Sequence, residues 1–244
     1  MELIETIREY WDADAATYDL APGHGPGTPA ERAAWTAALA AHLPPPPARI
    51  LDVGAGTGFL AIAMARLGHD VTALDLSSGM LARLVESAGR AGIDVSVVQG
   101  PAHEPPGGPF DAVTERHLLW TLPDPGAALA AWRSVAPTGR LLSFEGLWGG
   151  ADPAQARRQQ ARTLIRRLRR IPPGHHAEYD PGIRDTLPLG AGTHPDKGVT
   201  AVEAAGWPAP RLERLRDVEW ARLLAMPATE RVLGTVPQYL VRAG

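Results

Sequence analysis

Residues 50–58, Ile50-Leu51-Asp52-Val53-Gly54-Ala55-Gly56-Thr57-Gly58, constrain the fold more than any other stretch. An apolar run gives way to alternating glycines, and an amphipathic segment follows. A second apolar run, Val71-Thr72-Ala73-Leu74, then ends in Asp75. In order this reads strand, glycine turn, helix, strand, acid. Glycine between a strand and a helix permits a tight turn with positive φ. It also leaves no side chain to hold a ligand off the backbone. A helix starting near Thr57 aims its free N–H groups into that space. A carboxylate at the second strand's tip can accept both hydroxyl protons of a ribose. The unit therefore predicts a nucleoside-binding α/β domain.

The dinucleotide fingerprint would need glycine at position 59, where this chain has Phe59, and no Walker lysine follows. A nicotinamide-dependent dehydrogenase is disfavoured on that ground. The string D-V-G-A-G-T-G instead resembles motif I of the class I S-adenosylmethionine-dependent methyltransferases. Four more segments extend the resemblance over roughly residues 48–146. Asp75-Leu76-Ser77-Ser78-Gly79-Met80-Leu81 is similar to the family's D-x-S-x-x-M-L. Gly107-Gly108-Pro109-Phe110-Asp111-Ala112-Val113 resembles its entry to the fourth strand. Leu122-Pro123-Asp124-Pro125 and Ala136-Pro137-Thr138-Gly139-Arg140-Leu141 resemble its L-x-D-P and L-x-P-G-G-x-L.

The resemblance implies a doubly wound, Rossmann-like α/β fold. Its seven-stranded sheet is mostly parallel, with the last strand antiparallel beside the fifth. It implies S-adenosylmethionine as cofactor, S-adenosylhomocysteine as product, and no metal. Asp52, Gly54, Gly56 and Gly58 would form the loop under the methionine part. Asp75 would hold the ribose, Leu76 and Met80 would flank the adenine, and Tyr18 would bond the carboxylate or line the pocket. At the third strand's end the family carries glycine-aspartate-alanine, with the aspartate on the adenine amine. This chain has Gly100-Pro101-Ala102-His103. Proline offers neither carboxylate nor N–H, so Ala102 or His103 would take over. Arg116 would pair with the cofactor carboxylate or with neighbouring acids.

Composition narrows the class. The chain has 244 residues, 45% of them hydrophobic, enough for a full core in one domain. A net charge of −3 gives no general attraction for a nucleic-acid polyanion. There are no cysteines, which excludes disulfides, thiolate metal sites and a cysteine nucleophile. No apolar run is long enough to span a membrane, and the acidic, amphipathic start is not a signal peptide. These readings point to a cytoplasmic bacterial enzyme, monomer or homodimer.

The domain divides into a helical cap (1–47), the cofactor core (48–149), a lid (150–200) and a closing helix with two strands (201–244). Strands are predicted near 49–53, 71–75, 95–99, 110–115, 140–145, 211–219 and 235–242. Residues 3–18 carry apolar and aromatic residues at helical spacing. Residues 30–42 form a helix capped by Thr28, with Pro29 at its first position and Glu31 completing a capping box. The helix near 153–170 has an arginine-rich face and an apolar face of Ala161, Leu164, Ile165 and Leu168, read as a solvated amphipathic helix.

Three residues are candidate general bases: His117 after the fourth strand, Glu145 at the end of the fifth, and His24 in the glycine-rich loop. Each has a structural alternative: a hydrogen bond for His117, a buried arginine pair for Glu145, a solvated loop for His24. Of the seven tryptophans, Trp11, Trp120 and Trp148 fall near the expected opening. They favour a small apolar or aromatic acceptor of secondary-metabolite type. His175, His176, Tyr179 and His194 in the lid are read as pocket lining, since a full metal-ligand set is missing. The alternatives are an RNA or protein methyltransferase, for which the arginine helix speaks, and a non-catalytic cofactor-binding module.

Overall fold

The computed structural model describes residues 2–20, 23–25, 27–147, 153–168, 170, 177, 179–191 and 194–244, with the side chains at 154, 159, 166 and 229 outside that set. Helices α1 (Glu2–Asp14) and α2 (Pro29–His42) precede strand β1 (Arg49–Val53). The alternating core continues through α3 (Phe59–Arg66), β2 (Asp70–Asp75), α4 (Ser78–Ala91), β3 (Ser96–Gln99), β4 (Ala112–Arg116), α5 (Pro125–Val135) and β5 (Arg140–Gly146). After it come α6 (Pro153–Leu168), α7 (Pro181–Thr186), α8 (Pro195–Ala204), β6 (Arg211–Arg214), α9 (Arg216–Ala225), α10 (Ala228–Arg231) and β7 (Gln238–Ala243).

The strands form one seven-stranded sheet in the order β3-β2-β1-β4-β5-β7-β6. β1 to β5 pair in parallel, and β7 runs antiparallel between β5 and β6. This is the doubly wound, Rossmann-like sheet expected from the sequence. The strand order reverses between β1 and β4, so a crevice opens at their carboxyl ends.

Both faces of the sheet are covered, which is why its central strands read as continuous apolar runs. Side chains alternate between the two faces. Ile50, Ala73, Ala112 and Phe144 pack toward Trp35 and Leu39 of α2 and Met64 of α3. Leu51, Val53, Leu74 and Val113 pack on the other side with Trp132 of α5 and Trp207. Each of those tryptophans is 1% exposed or less and donates its indole N–H, Trp132 to the Ala102 carbonyl at 2.7 Å and Trp207 to Leu129 at 2.9 Å. The first of these bonds ties the loop after β3 to α5 and sets one wall of the crevice.

The capping box on α2 is present. Thr28 Oγ1 accepts from Glu31 N at 3.2 Å, and Glu31 Oε2 accepts from Thr28 N at 3.1 Å. One strand needs correction. The sixth was expected over 211–219, but the ladder ends at Arg214 and 216–225 is helical. Leu215, Val218 and Ala221, three residues apart, are all buried, and the helical repeat won over local alternation. The expected apolar face of α6 is also partly outward, with Leu164 58% and Leu168 76% exposed. Arg162 of α6 donates to the carbonyls of Leu233 at 2.9 Å and Gly234 at 2.8 Å. Trp148, His175, His176, Arg169 and the Arg166 side chain lie outside the described residues.

Helix α1 lies on α4 through one carboxylate. Asp12 Oδ1 accepts from Ser77 Oγ at 2.6 Å and from Gly79 N at 2.9 Å, capping the first turn of α4 from outside. Losing such a cap costs about 0.5–2 kcal/mol. Asp12→Ala should lower stability by about that amount in urea melts. It should also speed proteolytic cutting within 15–28. A variant as stable and as resistant as the parent chain would refute this docking role.

Candidate functional site

The glycine turn after β1 is shaped by two requirements. At Gly54, φ is +64°, and a Cβ would come within 2.7 Å of the Leu118 side chain. At Gly56, φ is +54°, and a Cβ would project into open space, meeting only Tyr18 Cε1 at 3.9 Å and Gly54 O at 4.0 Å. Gly54 is needed for packing, whereas Gly56 keeps a surface bare. Gly58, also left-handed, is the N-cap of α3. Asp75 fixes the turn: its Oδ2 accepts from Gly56 N and its Oδ1 from Ser77 N, both at 2.8 Å. Burial pushes its pKa up to about 6.

A cleft, partly open to solvent, lies against the bare face of this turn. Tyr18, Gly54, Gly56, Asp75, Leu76, Met80, Ala102, His103, Arg116 and His117 all line it, as the sequence reading grouped them. A smaller space of about 300 Å³ shares Tyr18, Gly54, Gly56 and Arg116 with the first and adds Asp52 and Thr57. Ile4 and Ile7 of α1, with Leu118, Thr121, Leu122 and Pro123, also line the main cavity and were not among the predicted site residues. Leu122 and Pro123 open the L-x-D-P segment, but Ile4 and Ile7 carry no local mark and are brought there by the fold.

The charged groups here are buried, and burial governs their chemistry. Asp52 and Glu115 are each pushed up to about 7 by desolvation. Asp52 Oδ1 accepts from Thr114 Oγ1 at 2.7 Å. Glu115 accepts from Ser143 Oγ and from Leu118 N. Arg116 was expected on the cofactor carboxylate or on neighbouring acids; no acid among the described residues takes its guanidinium. Its guanidinium instead donates to the carbonyls of Gly23 at 3.1 Å and His24 at 2.7 Å, and lies 3.8 Å from the Phe59 ring centroid. Burial lowers its pKa to about 10, so it stays charged at neutral pH.

His117 and Glu145 come together. His117 Nδ1 lies 3.5 Å from Glu145 Oε2. His117 takes the left-handed conformation, φ +58°, and its N–H donates to Phe144 O of the neighbouring strand at 3.0 Å. Burial first, then the positive fields of Arg116 and Arg222, lower its pKa well below the usual value, so the imidazole is neutral at pH 7. Glu145 is 2% exposed and is not in the cavity wall; it reaches the cavity through His117. His24 does not line the cavity either. Its Nδ1 is 3.0 Å from the Tyr18 carbonyl, and its ring lies 4.1 Å from the Tyr18 ring.

An aromatic cluster adjoins the cavity wall at Trp11. Trp11, Tyr10, Trp120 and Tyr179 have ring centroids 4.7–6.3 Å apart. Tyr179 bonds Thr121 at 3.1 Å, and Tyr10 donates to Ala177 at 3.1 Å, so the segment after α6 is tied to α1 and to the turn after β4. His194 sits apart as the N-cap of α8. Among the described residues no group of three His, Cys, Asp or Glu is placed to hold a metal. Nor is any helix among them long and apolar enough to cross a membrane.

Linkage gives these buried acids a measurable sign. Asp52 and Glu115 keep their protons to about pH 7 when folded but lose them near 4 when unfolded. The folded chain therefore binds more protons across that window, and stability falls as pH rises through it. His117 acts oppositely, but only below its unfolded value near 6.5. The melting temperature of the ligand-free chain should thus fall between pH 6.5 and 8, and Asp52→Asn should flatten that fall. A melting temperature that rises over this interval contradicts the assignment.

Residues 50–139 match the family model described as methyltransferase domain. Over 108 residues the chain is 44% identical to a ubiquinone biosynthesis O-methyltransferase of Xanthomonas campestris pv. campestris, covering 43% of this chain and 45% of that protein. A homologous enzyme of Xanthomonas axonopodis pv. citri is 43% identical over 109 residues, with the same coverage. The chain thus aligns over somewhat less than half the length of these curated relatives. Among solved structures, the magnesium protoporphyrin IX methyltransferase of Synechocystis PCC 6803, with bound S-adenosylhomocysteine, superposes with a TM-score of 0.62 at 15% identity, covering 98% of each chain. The [4+2]-cyclase SpnF superposes at 0.57 and 17% identity, covering 86% of this chain and 79% of its own. Those structures share the fold, and a fold hosts more than one chemistry. The matched segment, residues 50–139, spans the glycine turn, Asp75 and the β4 wall, and over that segment the chain is similar to methyltransferase domains.

Proposed function

We propose that the chain binds S-adenosylmethionine and transfers its methyl group to a hydroxyl of a small aromatic or apolar acceptor. The observation that carries this is the continuity of one cavity from the bare glycine turn and Asp75 to His117. The residues suit the cofactor. Asp75 retains lone pairs for a ribose diol, and Leu76 and Met80 offer apolar walls to the base. The smaller space beside Asp52 and Arg116 offers both signs of charge to an amino-acid end, with Tyr18 over it. The cofactor supplies a sulfonium methyl that is already electrophilic. The chain's task is then to align the acceptor and keep out water.

His117 is the base in this reading. Its lowered pKa leaves it ready to accept a proton throughout the neutral range. Glu145 acts through it, orienting the ring by Nδ1 and balancing the charge once the ring is protonated. The aromatic cluster of Trp11, Trp120 and Tyr179 favours a flat acceptor, including one of secondary-metabolite type. The O-methyltransferase names of the aligned relatives agree with a hydroxyl nucleophile. Helix α1 and the residues around Tyr179, tied to each other and to Thr121, serve as cover for this core, whereas α8 packs on α5 and β7.

The test is turnover of S-adenosylmethionine with a panel of hydroxylated aromatics, followed as S-adenosylhomocysteine release. Loss of a general base typically costs roughly 10²–10⁴ in rate. His117→Ala should lose activity on that scale, while Glu145→Gln should lose less and show a displaced pH profile. Full activity in His117→Ala would overturn the role of His117, and no turnover with any acceptor would overturn the hydroxyl reading.

A further inference from the structure

Helix α6 is mounted with a polar side inward. Gln155 is 7% exposed, and Arg162, two turns further on, donates to the carbonyls of Leu233 and Gly234. The side of the helix turned away from these two holds Arg157, Leu164 and Leu168, all exposed, the leucines at 58% and 76%. Arg158, Arg167 and Arg170 are exposed around that stripe. Residues 153–170 contain no acid and carry seven of the chain's 24 basic residues. The remaining 17 stand against 27 acids, so the rest of the chain has a net charge of −10. One helix thus concentrates positive charge on an otherwise acidic protein, and holds two large apolar side chains in water among its arginines.

We propose that α6 is a docking surface for an anionic lipid bilayer, lying in the plane of the interface with Leu164 and Leu168 at the acyl boundary and the arginines at the phosphates. A second copy of the chain, docked through the same face, would set arginine against arginine. A polynucleotide would engage the arginines but leave the leucines in water. A bilayer surface takes both, because long arginine side chains reach the headgroups while the leucines enter. The remaining surface, net negative, is repelled by the same headgroups, which turns α6 toward the bilayer. Each basic residue at an anionic surface adds roughly fivefold to binding, and each leucine leaving water roughly tenfold. Such docking does not depend on which reaction the core carries out.

The test is co-sedimentation of the whole chain with vesicles of phosphatidylcholine alone and of an equimolar mixture with phosphatidylglycerol. The chain should bind the mixed vesicles at least roughly tenfold more tightly than the neutral ones, and high salt should weaken that binding. The double substitution Leu164→Asn with Leu168→Asn should weaken it by roughly tenfold or more, with melting unchanged because both side chains are exposed. Arg157→Gln with Arg167→Gln should weaken it on a similar scale. Failure of the unmodified chain to bind mixed vesicles would overturn the proposal without reference to any variant. Parent-like binding by the leucine variant would also overturn it, since the arginines would then act alone, as toward RNA or any other polyanion. Parent-like binding by the arginine variant would place the lipid contact elsewhere than α6.

Discussion

The two backbone hydrogen bonds accepted by Asp75 organise the site. They join the glycine turn after β1 to the start of α4, and so fix the distance between the sheet's switch point and the helix beside it. The cost is a carboxylate buried among polar N–H groups, visible in its raised pKa. Asp52 and Glu115 sit nearby in the same condition. Two buried acids, Asp52 and Glu115, near Arg116, with the half-buried Asp75 on the next strand, are not a way to maximise stability. They make sense as an environment prepared for a polar ligand, where charges matter more because water is scarce.

The N-terminal segment completes that environment. Asp12 caps α4, Asp19 accepts from Thr57 Oγ1 at 2.6 Å, and Arg116 holds the carbonyls of Gly23 and His24. These contacts attach α1 and the following loop to the core at separated points. Ile4, Ile7, Trp11 and Tyr18 thereby become walls of the cavity. Arg116 thus organises the loop while also lining both spaces. Its field, with burial, keeps His117 neutral.

Much of this was legible in the sequence because it is local. The glycine turn, Asp75, the Thr28 box and the parallel strands announce themselves within a few residues. Ten of the fourteen residues predicted for the site line the main cavity, Asp52 lines the smaller one, and Gly58 lines neither, standing as N-cap of α3 against Leu84. The failures have a common cause. Glu145 and His24 stand near the right place, but one is shielded by His117 and the other by Tyr18, and burial order is a tertiary property. The wall from α1 carries no motif, and the L-x-D-P segment does not by itself say that Leu122 and Pro123 face the cavity. The strand expected over 211–219 holds only for Arg211–Arg214; beyond it Leu215, Val218 and Ala221 recur every third residue, a helical spacing, and α9 packs on α2. The outward Leu164 and Leu168 likewise depend on what α6 meets, which hydropathy does not encode.

The most direct test is a crystal structure of the chain grown with S-adenosylhomocysteine. The account predicts the ribose on Asp75, the base between Leu76 and Met80, and the amino-acid end beside Asp52 and Arg116, with the sulfur directed toward His117. A ligand bound elsewhere, or lying in the cavity without contact to Asp75, would contradict it.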